Sequence, residues 1–142
     1  MTLQDLLDRQ EIHDLLVRYC HGIDRHEWAR VEAVFTPDAT LDYTAFGGPR
    51  GSVGEVVPFL RTAVTNLSGC QHTISTSLVD IDGNTATART AAQVMMMLMK
   101  DTPTLFGLWY RDQLIKTSQG WRIRERVQEF GWIHNAPSTP AS

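Results

Sequence analysis

The hydrophobic pattern of this chain changes period partway along it, and that change limits the folds open to it. Before about residue 68 the apolar residues recur mostly at helical spacing. From Gln71 to Ile133 they form long strand-like runs, broken by Asp82-Gly83-Asn84 and Ser118-Gln119-Gly120. Helices with one strand, followed by a long antiparallel meander, predict an α+β fold. The helices must cover one face of a strongly curved sheet, which closes a core at one end and leaves a cavity at the other. With 142 residues and 42% hydrophobic composition the chain supports one such core, expected in residues 1–135.

Within the helical part, Ile12, Leu15, Leu16, Tyr19 and Ile23 share one face of a helix over residues 5–22. Asp8, Arg9, Glu11, Asp14 and Arg18 fall mostly on the other. Gly22 suits the stop of this helix, and Asp24-Arg25-His26-Glu27 has the form of a capping box opening a second helix to about Phe35. Thr36-Pro37-Asp38 reads as a turn, residues 40–46 as a strand and Gly47-Gly48-Pro49-Arg50-Gly51 as a flexible loop. A third helix opens on a Ser52/Glu55 capping box, meets a kink or a weak first turn at Pro58, and ends before Gly69. The meander then runs 71–81, 85–100, 105–117 and 121–133, and residues 136–142, rich in Pro and Ser, are expected to be disordered.

Charge and composition remove several classes of function. The 13 basic and 16 acidic residues are mixed along the chain and give a net charge of −3, so no basic stripe exists to neutralise phosphates, and nucleic acid is not an expected partner. No apolar run approaches a membrane span, and residues 1–8 are polar, so a cytoplasmic protein is expected. Cys20 and Cys70 lack metal-ligand spacing and read as buried free thiols. His13, His21, His26 and His134 read as surface residues, and no spacing among them suggests a metal.

Two polar residues remain that suit chemistry. Asp24 follows the first helix and His72 opens the meander, and a carboxylate can orient an imidazole that moves a proton near neutral pH. Each has a plainer use. Asp24 could cap the second helix, and His72 could be a core histidine bonded to backbone. A carboxylate at the C-terminal end of the first helix also faces an unfavourable dipole, which other donors would have to offset. Tyr19 and Tyr43 could donate to a carbonyl or serve only as packing. Residues 95–99, Met-Met-Met-Leu-Met, must alternate between the two sides of a strand. One set joins the core or pocket, and the other is available to cover a subunit surface in a homodimer or higher homo-oligomer.

The order of several short motifs resembles the SnoaL-like branch of the nuclear transport factor 2 (NTF2-like) superfamily. Its carriers are Asp8-Arg9-Gln10-Glu11-Ile12, Arg18-Tyr19, Asp24 with Trp28, Phe35-Thr36-Pro37-Asp38-Ala39, Gln71-His72, Asp80-Ile81-Asp82-Gly83, Trp109-Tyr110 and Gly120-Trp121-Arg122-Ile123. The resemblance covers roughly residues 3–135 and implies a cone-shaped α+β fold. Within that branch the chain looks most like the scytalone dehydratase, bile acid dehydratase and hexachlorocyclohexane dehydrochlorinase group, where an Asp/His pair supports elimination. It implies catalytic roles for His72, Asp24, Tyr19 and Tyr43, with Met95, Met97 and Trp28 in the substrate pocket. The bile acid enzyme's additional carboxylate falls near Met95. No cofactor and no metal are implied. The expected activity is cofactor-independent elimination on an apolar, cyclic small molecule. The alternatives are a ketosteroid-isomerase-like double-bond shift and a non-catalytic binding domain. An epoxide hydrolase is less attractive, because no second carboxylate is evident beside Asp24.

Overall fold

The computed structural model describes residues 1–137, so most of the expected disordered tail lies outside the described residues. The elements are α1 (Leu3–Asp24), α2 (Trp28–Glu32), β1 (Phe35–Asp42), β2 (Arg50–Ser52), α3 (Val53–Thr65), β3 (Cys70–Asp82), β4 (Thr85–Met99), β5 (Thr102–Thr117) and β6 (Gly120–His134). A short 3-10 turn spans Thr44–Phe46. The six strands form one sheet in the order β2-β1-β6-β5-β4-β3. All neighbours are antiparallel except β1 and β6. This is the α+β arrangement that the change of period predicted, and its topology is the cone-shaped one that the resemblance implied.

The buried stripe of α1 is the expected one: Ile12, Leu15, Leu16, Tyr19 and Ile23 are each no more than 2% exposed. Each such burial contributes about 1.5–3 kcal/mol relative to exposure. The polar side of α1 departs from expectation at Asp8, which is buried. Its Oδ1 accepts hydrogen bonds from Trp121 Nε1 and Lys116 Nζ, both at 3.0 Å, and from Gln4 Nε2 at 3.1 Å. Arg9 and Glu11 also reach the sheet, at the Val79 carbonyl and the Trp121 backbone N–H.

The C-terminal end of α1 corrects two further expectations. Gly22 does not stop the helix; a Cβ there would lie 2.7 Å from Val31 Cγ2, so it is the place where α2 crosses closely. The stop comes at His26, at φ 58, where Glu27 N–H donates to the Gly22 carbonyl at 2.8 Å and His26 N–H to that of Ile23 at 3.2 Å. That double closure is a Schellman ending with a left-handed histidine in the glycine position. Asp24 therefore belongs to α1 and caps nothing. α2 is a short helix ending at Glu32, preceded by Glu27, which makes no side-chain cap and pairs with Arg30 instead.

Thr36-Pro37-Asp38 is not a turn but the irregular start of β1, where the register against β6 shifts between Phe35 and Thr40. The expected strand at 40–46 stops at Asp42, and Tyr43 is the N-cap of the 3-10 turn. The glycine-rich loop contains β2. The capping box of α3 forms as expected, with Ser52 N–H donating to Glu55 Oε1 at 3.2 Å.

The hairpins fall where the turn residues place them, Thr85 pairing with Asp82 and Thr117 with Gly120. β6 carries two extra residues against β5. Leu114 pairs with Ile123 but Gln113 with Glu125, which leaves Arg124 as a bulge, and Gly131 is a second. Each bulge reverses which residues face inward. Below Arg124 the inward set is Trp121 and Ile123; above it the set becomes Arg126 and Gln128.

Candidate active site

The inner face of the curved sheet, the C-terminal half of α1 and helix α3 line a half-open cavity of about 190 Å³. Its wall is mostly apolar, with Ile23, Phe59, Val64, Val94 and Leu108 among the residues that line it. Phe46 packs against Phe106 and Phe130 at ring distances of 5.4 and 5.2 Å. Into this space come His72, Tyr19, Tyr43, Tyr110 and Gln128.

Asp24 and His72, 48 residues apart, are in direct contact. His72 Nδ1 lies 2.6 Å from Asp24 Oδ1, and the His72 backbone N–H donates to Oδ2 at 2.7 Å. Cys70 Sγ adds a longer contact to Oδ1 at 3.7 Å. Residues 70 and 72 point the same way from β3, so one strand face presents three donors to a single carboxylate. These donors offset the dipole at the end of α1. Holding Nδ1 against a carboxylate fixes the imidazole so that Nε2 is the nitrogen free to exchange a proton.

Asp24, Cys70 and His72 also bring three ligand-type atoms within 4.8 Å of one another. The 2.6 Å separation of Nδ1 and Oδ1 is that of a hydrogen bond; two zinc ligands at about 2.0–2.2 Å from one ion would have to stand farther apart. As arranged, the cluster fits an orienting pair better than a metal centre. Burial first, then the Asp24 charge, pushes the Cys70 thiol up to about 12, and burial pushes Cys20 to about 12 as well. Both stay protonated, and neither offers a thiolate.

Tyr19 and Tyr43 are both buried, and their hydroxyls hydrogen-bond each other at 2.5 Å. The Tyr19 ring meets His72 edge-on at 6.1 Å. Burial raises the pKa of Tyr19, Tyr43 and Tyr110, so all three remain hydroxyl donors through neutral pH. Of the four residues expected to do the chemistry, His72, Tyr19 and Tyr43 line the cavity and Asp24 stands behind His72.

The expected pocket residues do not line it. Val94 and Met96 line the cavity, whereas Met95 and Met97 occupy the alternate positions of β4, close to Gly69. A Cβ on Gly69 would come within 3.2 Å of Met97 Cγ and 3.9 Å of Met95 Cε. Pleating decides this: once Val94 faces inward, Met96 must follow. Trp28 is also absent from the lining and stacks on His26 at 6.1 Å.

One buried feature escaped the sequence. Asp112 and Arg126 form a two-point ion pair, Nε to Oδ1 at 2.7 Å and Nη2 to Oδ2 at 2.9 Å, both residues no more than 3% exposed. The Arg126 guanidinium lies 4.0 Å from the Tyr110 ring centre and 4.3 Å from that of Tyr19. Burial opposes its charge, and Asp112 outweighs that cost, so it stays cationic behind the tyrosines. Asp112 sits at an inward position between Tyr110 and Leu114, which is the one signal the sequence offered. Its partner is hidden by the Arg124 bulge, without which the hairpin register would set Asp112 opposite Glu125.

This fold and this arrangement define a small apolar cavity with an imidazole–carboxylate pair at its wall. The chain belongs to the SnoaL-like domain family, whose match covers residues 4–127. An uncharacterized protein of Mycobacterium tuberculosis is 35% identical over 130 residues, covering 90% of this chain and 88% of its own length. A crystal structure of a protein from Kribbella flavida superposes with a TM-score of 0.83 at 24% identity, over 92% of this chain and 95% of that one. A hexachlorocyclohexane dehydrochlorinase superposes with a TM-score of 0.83 at 11% identity, over 99% of this chain and 96% of that one. The two structural likenesses establish the shared fold.

Proposed function

We propose that this protein is a cofactor-independent lyase of the dehydratase type, acting on an apolar, cyclic small molecule that carries a carbonyl. The observation that carries the proposal is the 2.6 Å contact between Asp24 and a histidine whose ring lines an apolar cavity. His72 Nε2 takes a proton from the carbon beside the carbonyl, and that electron pair becomes the new carbon–carbon double bond as the neighbouring carbon–oxygen bond breaks. The same imidazole returns the proton to the departing hydroxyl, which leaves as water. Asp24 holds Nδ1–H and opposes the imidazolium charge. The Tyr19–Tyr43 pair donates to the carbonyl oxygen as enolate charge develops. The structural likeness to a dehydrochlorinase, an eliminating enzyme by its name, supports this direction.

The test uses 3-hydroxycyclohexanone and ring-substituted analogues, with products read by mass spectrometry. Loss of water that falls by about 10²–10⁴-fold in His72→Ala is the expected result. Full activity in both His72→Ala and Asp24→Asn would overturn the assignment. A product of unchanged mass would replace elimination with isomerisation, which needs the same base and hydroxyl donors. Ligand recovered unchanged, with binding intact in His72→Ala, would replace it with a binding domain.

A further inference from the structure

We infer that Gln128 is the specificity-determining residue of the cavity, and that it recognises a second polar group on a substrate of a single ring. The inference rests on the cavity being the substrate site, as proposed above. Five polar side chains line it, and four are already committed or closed off. His72 and the Tyr19–Tyr43 pair serve the proposed elimination, and the Tyr110 hydroxyl, which has no hydrogen-bond partner, is buried away from the open space. Gln128 is the exception. It is half-buried, lines the cavity, and takes no part in the hydrogen bonds that tie up its neighbours.

An unengaged amide in an apolar wall has consequences for what enters. It offers an acceptor and two donors, and an apolar ligand would strip its water and return nothing. A site with such a group discriminates against analogues lacking the matching oxygen or nitrogen, by more than a missing methylene would achieve. Gln128 faces inward only because the Arg124 bulge reverses β6, and it lies directly across from Tyr110 on β5. Its place is set by backbone pairing on a sheet, not by a loop.

The size of the space sets the other half of the inference. An apolar cavity of about 150 Å³ accommodates benzene. About 190 Å³ therefore takes in one substituted ring, and a steroid would have to extend out through the open side.

Binding of phenol, catechol, resorcinol and hydroquinone, measured by calorimetry, tests this without any turnover. At least one dihydroxybenzene should bind the native protein about tenfold or more tightly than phenol. Gln128→Leu should erase that difference, weakening the dihydroxybenzene and leaving phenol bound at least as tightly as before. Gln128→Met, closer in length, serves the same purpose if the leucine variant fails to fold. A second hydroxyl that gains nothing in any position, or a gain that survives both variants, would overturn the role of Gln128. A four-ring steroid bound as tightly as the single-ring probes would overturn the size limit. Elimination lost in His72→Ala but no Gln128 effect would leave the proposed function standing and this inference fallen; the opposite pair of results would do the reverse.

Discussion

Helix α1 fastens itself to the sheet with a carboxylate near each end, and the two fastenings differ in one respect. Asp8 accepts from the Trp121 indole, Lys116 and Gln4. Asp24 accepts from the His72 ring and backbone and touches the Cys70 thiol. Both are side-chain latches between α1 and a strand. At Asp8 the donors are an indole, an ammonium and an amide, and none of them lines the cavity. At Asp24 one donor is an imidazole whose other side meets the cavity. A buried carboxylate is thus not in itself a sign of chemistry; what distinguishes the second latch is a titratable partner with an open face.

That contrast can be broken by exchanging the consequences of the two latches. The largest effect is expected for Asp24→Asn, which keeps the shape and loses the charge. Elimination should fall by about 10²–10⁴-fold while the unfolding midpoint moves little, measured by steady-state kinetics and thermal melting on the same sample. An equal loss of stability with unchanged turnover would make Asp24 a second Asp8. Next comes Asp8→Ala, which orphans the buried Trp121 indole N–H and should cost about 1–3 kcal/mol in a urea titration, with turnover per folded molecule unchanged. The smallest effect concerns acid. The Trp121 hydrogen bond, with help from Lys116, holds the Asp8 carboxyl below its ordinary range against the opposing effect of burial. The stability it contributes is complete above the ordinary carboxylate value and drains away as the pH falls below about 4. Asp8→Asn should flatten that part of the stability curve; an unaltered acid slope would show that other carboxylates set it.

Much of this arrangement was written in the pattern of residues, and the parts that were not share a cause. The inward stripe of α1, the hairpins at Gly83 and Gly120, and the Ser52/Glu55 cap follow from periodicity and turn chemistry, which are local. The pairing of Asp24 with His72 was legible only through the resemblance, since locally Asp24 is an equally good cap. What decided against capping is His26, which takes the left-handed position and lets α1 run on past Gly22. Which methionines face the cavity is not legible, because residues 95–99 are apolar throughout and alternation among them carries no phase. Arg126 and Gln128 were missed because the Arg124 bulge inverts β6, and a bulge leaves little mark on the sequence.

The two latches also make α1 a ruler. Sixteen residues separate Asp8 from Asp24, about 24 Å at 1.5 Å per residue, and both ends of that length are pinned to the same sheet. One residue added to or removed from the middle of α1 would swing Asp24 by about 100° around the helix axis and shift it by about 1.5 Å. No repacking of side chains could return it to His72. The turns at 82–84 and 118–120 can absorb a change of length, but α1 cannot, so its residue count is as much a part of the site as the carboxylate it delivers.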